Sequence, residues 1–140
     1  MIIKLKKIYE DAKTPTSSEG NAGYDLYACE HAYIPPQQRL LIKTGIKIEI
    51  PDGYYGHISD RSGMAFKHGA HCLGKIIDSN YRGEIGIILL NTDKEKSLSI
   101  VKNDRIAQII FKKYEKVEFV ESKELEDSNR NEKGFGSSGR

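Results

Sequence analysis

The chain has 140 residues, 38% of them hydrophobic, and its 22 basic against 20 acidic side chains leave a formal charge of +2. That length suits one domain around one core, and the near balance of charge excludes wholesale binding to a nucleic-acid backbone, which needs a concentrated basic surface. Two cysteines, Cys29 and Cys72, are too few for a disulfide framework; lysines break the first apolar run, and the longest strongly apolar stretch, IGIILL at 85–90, is far short of a membrane span, so a soluble, cytoplasmic protein without a membrane or nucleic-acid partner is expected.

Short apolar segments alternate with turn signals along the chain. Ile2–Tyr9 reads as a first strand, followed by the polar loop TPTSSEGNAG at 14–23. Tyr24–Ala28 and Ala32–Ile34 are short strands, the second closed by Pro35 and Pro36. In RLLIKTGIKIEI, 39–50, Ile46, Ile48 and Ile50 fall on one face of a strand whose other side is wet. Pro51, Asp52 and Gly53 form a turn, since Pro presets φ and Gly accepts a positive one. Tyr55–Ser59, His71–Ile77, Ile85–Leu90, Ser97–Val101 and Arg105–Val120 complete the strands, and only Arg61–His68 suits a short helix. Many short strands separated by Gly and Pro predict an all-β subunit, a sandwich, jelly roll or barrel. Residues 1–128 read as the β domain. The charged, then Gly/Ser-rich segment 129–140 reads as a tail that buries little and moves unless a ligand or partner holds it.

Few residues carry an obvious chemistry. The tail sequence GFGSSG, 134–139, matches a dinucleotide fingerprint letter for letter, but no helix can follow it, and the fingerprint works by opening one. Glycines and hydroxyls there could still approach phosphate oxygens, and Phe135 needs something to stack on. His68, His71 and Cys72 stand close together in HGAHC, yet no second cluster completes a zinc site. Ser62 lacks the setting of an activated nucleophile. More informative is IIDSNYRGEIGIILLN, 76–91, which reads as a hairpin with Asp78 at a strand end beside its turn. A carboxylate so placed can serve as a general base, or can simply bond its own backbone.

Five segments, in order, resemble the five motifs of the trimeric deoxyuridine triphosphatase (dUTPase) family: AGYDLYA at 22–28, DRSGMA at 60–65, IIDSNYRGEIGIILLN at 76–91, DRIAQIIF at 104–111 and RNEKGFGSSG at 130–139. The match spans nearly the whole chain. It implies a jelly-roll subunit of a homotrimer with three sites at the subunit boundaries, cutting dUTP to dUMP and pyrophosphate with Mg²⁺. That reaction keeps uracil out of DNA and supplies dUMP for thymidylate synthesis. Asp78 would orient and deprotonate the water that attacks the α-phosphorus. The backbone of the third motif, at Ile76 and Ile77, would read uracil, and Tyr81 would lie under the deoxyribose and exclude a ribose. Arg61, Ser62, Gly63 and Gln108 would bind phosphate oxygens, and Asp25 would face Mg²⁺ through water. In the tail, Phe135 would stack on uracil while Arg130, Gly136, Ser137 and Ser138 close over the triphosphate.

The chain departs from the family at several positions. Asp60 stands where Pro usually precedes the Arg-Ser-Gly triplet, and its carboxylate is expected to repel the phosphates. Lys75 stands where Gly is usual before the catalytic Asp, and strand alternation should turn it away from the side that Asp78 occupies. In the tail, Asn131 and Lys133 stand where Gly is common, and Ser138 where Thr is common. Two alternatives share part of the pattern: a dCTP deaminase-like enzyme of the same fold, and a non-catalytic protein that senses dUTP for a protein partner.

Overall fold

Residues 1–134 are described by the computed structural model. Eleven strands and one short helix follow in the order β1 (Lys4–Lys7), β2 (Tyr24–Tyr27), β3 (Ala32–Ile34), β4 (Arg39–Lys43), β5 (Ile46–Glu49), β6 (Tyr54–Ser59), α1 (Ser62–His68), β7 (Ala70–Leu73), β8 (Ile76–Ile77), β9 (Gly86–Asn91), β10 (Leu98–Ile100) and β11 (Arg105–Lys113). They form a four-stranded sheet, β2-β11-β6-β8, a three-stranded sheet, β4-β9-β7, and the pairs β1-β5 and β10-β3. All the strand pairings among the described residues are antiparallel.

Alternation explains the core. In β9 every second residue (Ile87, Leu89, Asn91) is buried, and in β5 it is Ile46 and Ile48. Leu26, Ile58, Ala107 and Ile109 from the four-stranded sheet join Ile42, Cys72, Ile87 and Leu89 from the three-stranded one in a single cluster. Ile34, Leu98 and Ile100 add the β10-β3 pair to it. The inner faces of the sheets thus share one core, as in a sandwich.

Several predicted strands divide or shorten. The run 39–50 breaks at Thr44 and Gly45 into β4 and β5, which lie in different sheets. The run 71–77 breaks at Gly74, whose φ of +60° lets the chain leave β7 for the other sheet as β8. The segment 76–91 is not a paired hairpin: β8 takes the edge of β6, and β9 inserts between β4 and β7. The reason lies in its second arm, where Ile85, Ile87 and Leu89 alternate into the core and need that sheet. The last strand stops at Lys113 rather than Val120, and residues 114–134 are all exposed.

Asn91 is the polar staple of this core. It is fully buried, and its amide nitrogen donates to the carbonyls of Ile34 (3.0 Å), Pro35 (3.3 Å) and Lys96 (2.9 Å), while its oxygen accepts the Asp93 N–H at 3.0 Å. One side chain therefore holds the end of β3, the end of β9 and the loop before β10. Asn91→Ala strips these buried carbonyls of their donor and should cost about 3 kcal/mol. Urea unfolding should show a lower midpoint at unchanged slope; a loss below about 0.5 kcal/mol would mean that the network contributes little.

Candidate active site

The β2-β11-β6-β8 sheet turns two kinds of chemistry outward. In its register Asp25 pairs with Gln108 and Gln108 with Ser59, while His57 pairs with Ile76. Gly56 and Ile58 of β6 and Ala107 and Ile109 of β11 point into the core. By alternation the outer face carries Asp25, Gln108, Ser59, His57, Ile110, Ile76 and then Asp78.

At one end of this face is a polar concavity of about 410 Å³, lined by Asp25, Arg61, Ser62, Gly63, Arg105, Gln108 and the hydroxyl-rich loop of Thr16, Ser17 and Ser18. Asp25 sits between two arginines. Its Oδ1 accepts Arg61 Nε at 2.8 Å, and its Oδ2 lies 3.6 Å from Arg105 Nη1. Arg61 Nη1 also donates to the Arg105 carbonyl at 3.3 Å. Both guanidinium groups are thus aimed, with N–H donors to spare and one positive charge in excess of the carboxylate. Arg61 is the extended N-cap of α1 and makes no side-chain cap. The first N–H groups of the helix, at Ser62 and Gly63, therefore have no intrahelical partner. Planar donors, bare amides and hydroxyls in one polar hollow are suited to phosphate oxygens.

At the other end Asp78 lines a second concavity of about 590 Å³ with Ile76, Tyr55, Ser79 and Asn80. The β8 strand is the free edge of its sheet among the described residues. Ile58 N–H donates to the Lys75 carbonyl at 2.8 Å, which makes the Ile58–Lys75 and Gly56–Ile77 pairs the hydrogen-bonded ones. The N–H and C=O of Ile76 therefore point to the open edge, while those of Ile77 are committed to Gly56. Tyr81 is held over the turn by its hydroxyl, which donates to the Glu84 carbonyl at 2.9 Å. Its ring lies against Gly83, where a Cβ would stand 2.2 Å from the hydroxyl oxygen, so only glycine leaves this ring in place.

The structure thus brings Asp25, Arg61, Ser62, Gly63 and Gln108 together, and separately brings Ile76 and Asp78 together. It does not join the groups. They share no lining residue, and Gln108 and Asp78 are separated by four residues along β6 and two strand spacings across it, about 16 Å. Arg130 is exposed, its Nε donating to its own turn at the Lys133 carbonyl (2.7 Å). Phe135, Gly136, Ser137 and Ser138 lie outside the described residues. Sequence reasoning missed Arg105, although the arginine of DRIAQ was in view and its outward place opposite Tyr27 follows from the register.

Asp60 is a correction. Its carboxylate does not line the phosphate-type concavity. Oδ1 accepts the Cys72 N–H at 2.6 Å and Oδ2 lies 2.7 Å from His71 Nδ1. Burial alone would raise this carboxyl, but the bonds from Cys72 and His71 outweigh it and hold Asp60 below the ordinary carboxylate value. The HGAHC cluster is explained by the same contact. Burial, with Asp60 alongside, pushes the Cys72 thiol up to about 12, which leaves it inert.

A resident metal centre has no support in the donors: no group of three or more His, Cys, Asp or Glu is gathered among the described residues. A hard cation that arrives with phosphate oxygens and water needs less, and the single carboxylate of Asp25 in the polar hollow fits that case.

Comparison with known proteins identifies the family. The sequence profile of the dUTPase family matches residues 10–139. The deoxyuridine 5'-triphosphate nucleotidohydrolase of Paramecium bursaria Chlorella virus 1 is 46% identical over 136 residues, covering 96% of each chain. That of Nautilia profundicola is 42% identical over 143 residues, covering 100% of each. The dUTPase of Staphylococcus bacteriophage 80alpha, solved with dUpNHpp, superposes with a TM-score of 0.92 at 30% identity over 99% of both chains. By motif order, fold and full-length similarity, the chain belongs to the dUTPase family.

Proposed function

We propose that the two concavities are halves of one dUTP-hydrolysing site, and that a homotrimer assembles each site from neighbouring subunits. The observation that carries this reading is the separation along β6. A phosphate chain held at Arg61 and Gln108 cannot present its α-phosphorus to Asp78 of the same chain, whereas a neighbouring copy can supply the missing half. The outer face between the halves supports contact with another chain. Ile76 is 53% exposed, and His57 Nδ1 is buried without a hydrogen-bond partner among the described residues, a group that an adjoining subunit would satisfy. Val117, Phe119, Val120 and Leu125, all exposed beyond β11, also call for cover from outside the chain.

In this site the free edge at Ile76 offers one N–H and one C=O to the uracil, a donor and acceptor pair that matches its amide edge. Tyr81 packs under the sugar, where a 2′-hydroxyl would collide with the ring. Arg61 and Arg105 neutralise the triphosphate and Ser62, Gly63 and Gln108 help align it, which is the main requirement of phosphoryl chemistry. Asp78 accepts a proton from a water as the water's oxygen bonds to the α-phosphorus. The bond from that phosphorus to the bridging oxygen breaks, and pyrophosphate leaves with the electron pair. Mg²⁺ bound to the phosphates would supply further neutralisation, with Asp25 holding it through water. Residues 129–140, of which 135–140 lie outside the described residues, are the proposed lid, with Arg130, Phe135, Gly136, Ser137 and Ser138 as its proposed nucleotide contacts. A dCTP deaminase-like or non-catalytic reading has no observation in its favour here.

Pyrophosphate release tests the function directly: dUTP should be cut in preference to the other common nucleoside triphosphates. Asp78→Asn should keep dUTP binding and lower kcat about 10²- to 10⁴-fold, the scale of a general base; a variant within tenfold of the parent would remove Asp78 from that role. Gly83→Ala must displace the Tyr81 ring, so the ratio of kcat/KM for UTP over dUTP should rise about tenfold. An unchanged ratio would mean that the sugar is read elsewhere.

A further inference from the structure

We propose that Asp60 is a positioning residue for the phosphate half of the site, acting through Arg61 and Gln108 without touching the nucleotide; this rests on the reading of that half as a phosphate subsite. Asp60 occupies the two-residue link between the end of β6 and the start of α1. Each of its three polar handles is engaged or covalently joined to something that matters. Its carboxylate reaches across to β7, the edge of the other sheet, where it takes the Cys72 N–H and the His71 ring. Its own carbonyl, turned the other way, accepts the Gln108 side-chain amide at 2.8 Å. Through the peptide bond it sets the backbone of Arg61, the extended cap whose guanidinium is aimed by Asp25.

The chain of forces is therefore short. The carboxylate anchors residue 60 to an edge strand whose Ala70 and Cys72 are buried in the core; the fixed carbonyl then holds Gln108, and the fixed link holds Arg61, Ser62 and Gly63 at the mouth of the hollow. Gln108 is already confined on one side, where its side chain packs against Gly23, and the Asp60 carbonyl fixes its amide from the other. The 2.6 and 2.7 Å bonds are charge-assisted, since a carboxylate is ionised at neutral pH. The negative charge is spent on these contacts, facing away from the phosphates.

Binding to the intact assembly tests this. Asp60→Ala should weaken dUpNHpp about tenfold, the scale of one charge-assisted hydrogen bond, while dUMP, which lacks the two outer phosphates, moves less than threefold. Asp60→Asn keeps an acceptor for Cys72 and a group that can bond His71, so it should stay within about threefold of the parent for both ligands. His71→Ala removes one anchor only and should fall between them. Calorimetric titration of all three variants reads these changes, and should Asp60→Ala not fold, the Asn and His71 variants still rank the role. Unchanged dUpNHpp affinity in Asp60→Ala, equal losses for both ligands, or no recovery with Asn each overturn the proposal. Loss of stability without a ligand-specific change does the same. A parent that binds dUMP but gains nothing from the outer phosphates of dUpNHpp would instead overturn the phosphate-subsite reading, and this proposal with it.

Discussion

On an antiparallel strand, side chains alternate and neighbours are fixed by register, and β6 holds both halves of the proposed site by that rule. Ser59 sits beside Gln108 at one end, and the backbone of Gly56 carries β8 at the other. Because Gly56 and Ile58 are committed to the core, the intervening residues have no freedom to slip: a shift of one residue would turn the whole polar face inward. The distance between the halves is therefore a property of the fold and cannot be closed by side-chain motion. A reaction that needs both halves must draw on more than one chain, and the exposed apolar surface between and beyond them is where another copy would sit.

Within the proposed phosphate half the decisive interaction is that of Asp25 with Arg61 and Arg105. Two guanidinium groups brought together without a counter-charge would splay into solvent. A carboxylate between them holds their planes and leaves a net positive hollow. Such preorganisation matters more than the number of charges, since donors already in place need not reorganise during reaction. In the other half the same economy appears as backbone geometry: an open strand edge at Ile76, a carboxylate at the end of that edge, and a tyrosine ring that is held by Gly83 and Glu84.

Much of this was legible in the sequence. Alternation in 85–90 and 46–50 identified core strands, and the five motifs in order pointed to the family that the comparisons establish. What was hidden depended on long-range partners. The 76–91 segment looked like a hairpin because its two apolar arms flank a turn, and nothing local says that each arm has a better partner in a different sheet. Asp60 looked like a charge beside the phosphates because its neighbours in sequence are Arg61 and Ser62, whereas its partners in space, His71 and Cys72, come from β7. Arg105 was overlooked for a similar reason, since its worth lies in Asp25, which a strand pairing brings beside it.

The central claim, that one site needs two chains, is tested most directly by mixing two crippled variants. Asp78→Asn lacks the base in one half and Arg61→Ala lacks the phosphate donor in the other. If each site takes its halves from different subunits, unfolding and refolding the two together in equal amounts should restore about a quarter of the parent's dUTP hydrolysis, because random assembly reunites intact halves at that frequency. Activity no higher than that of the separate variants, in mixed oligomers shown to have formed, would contradict the account and return the whole site to a single chain.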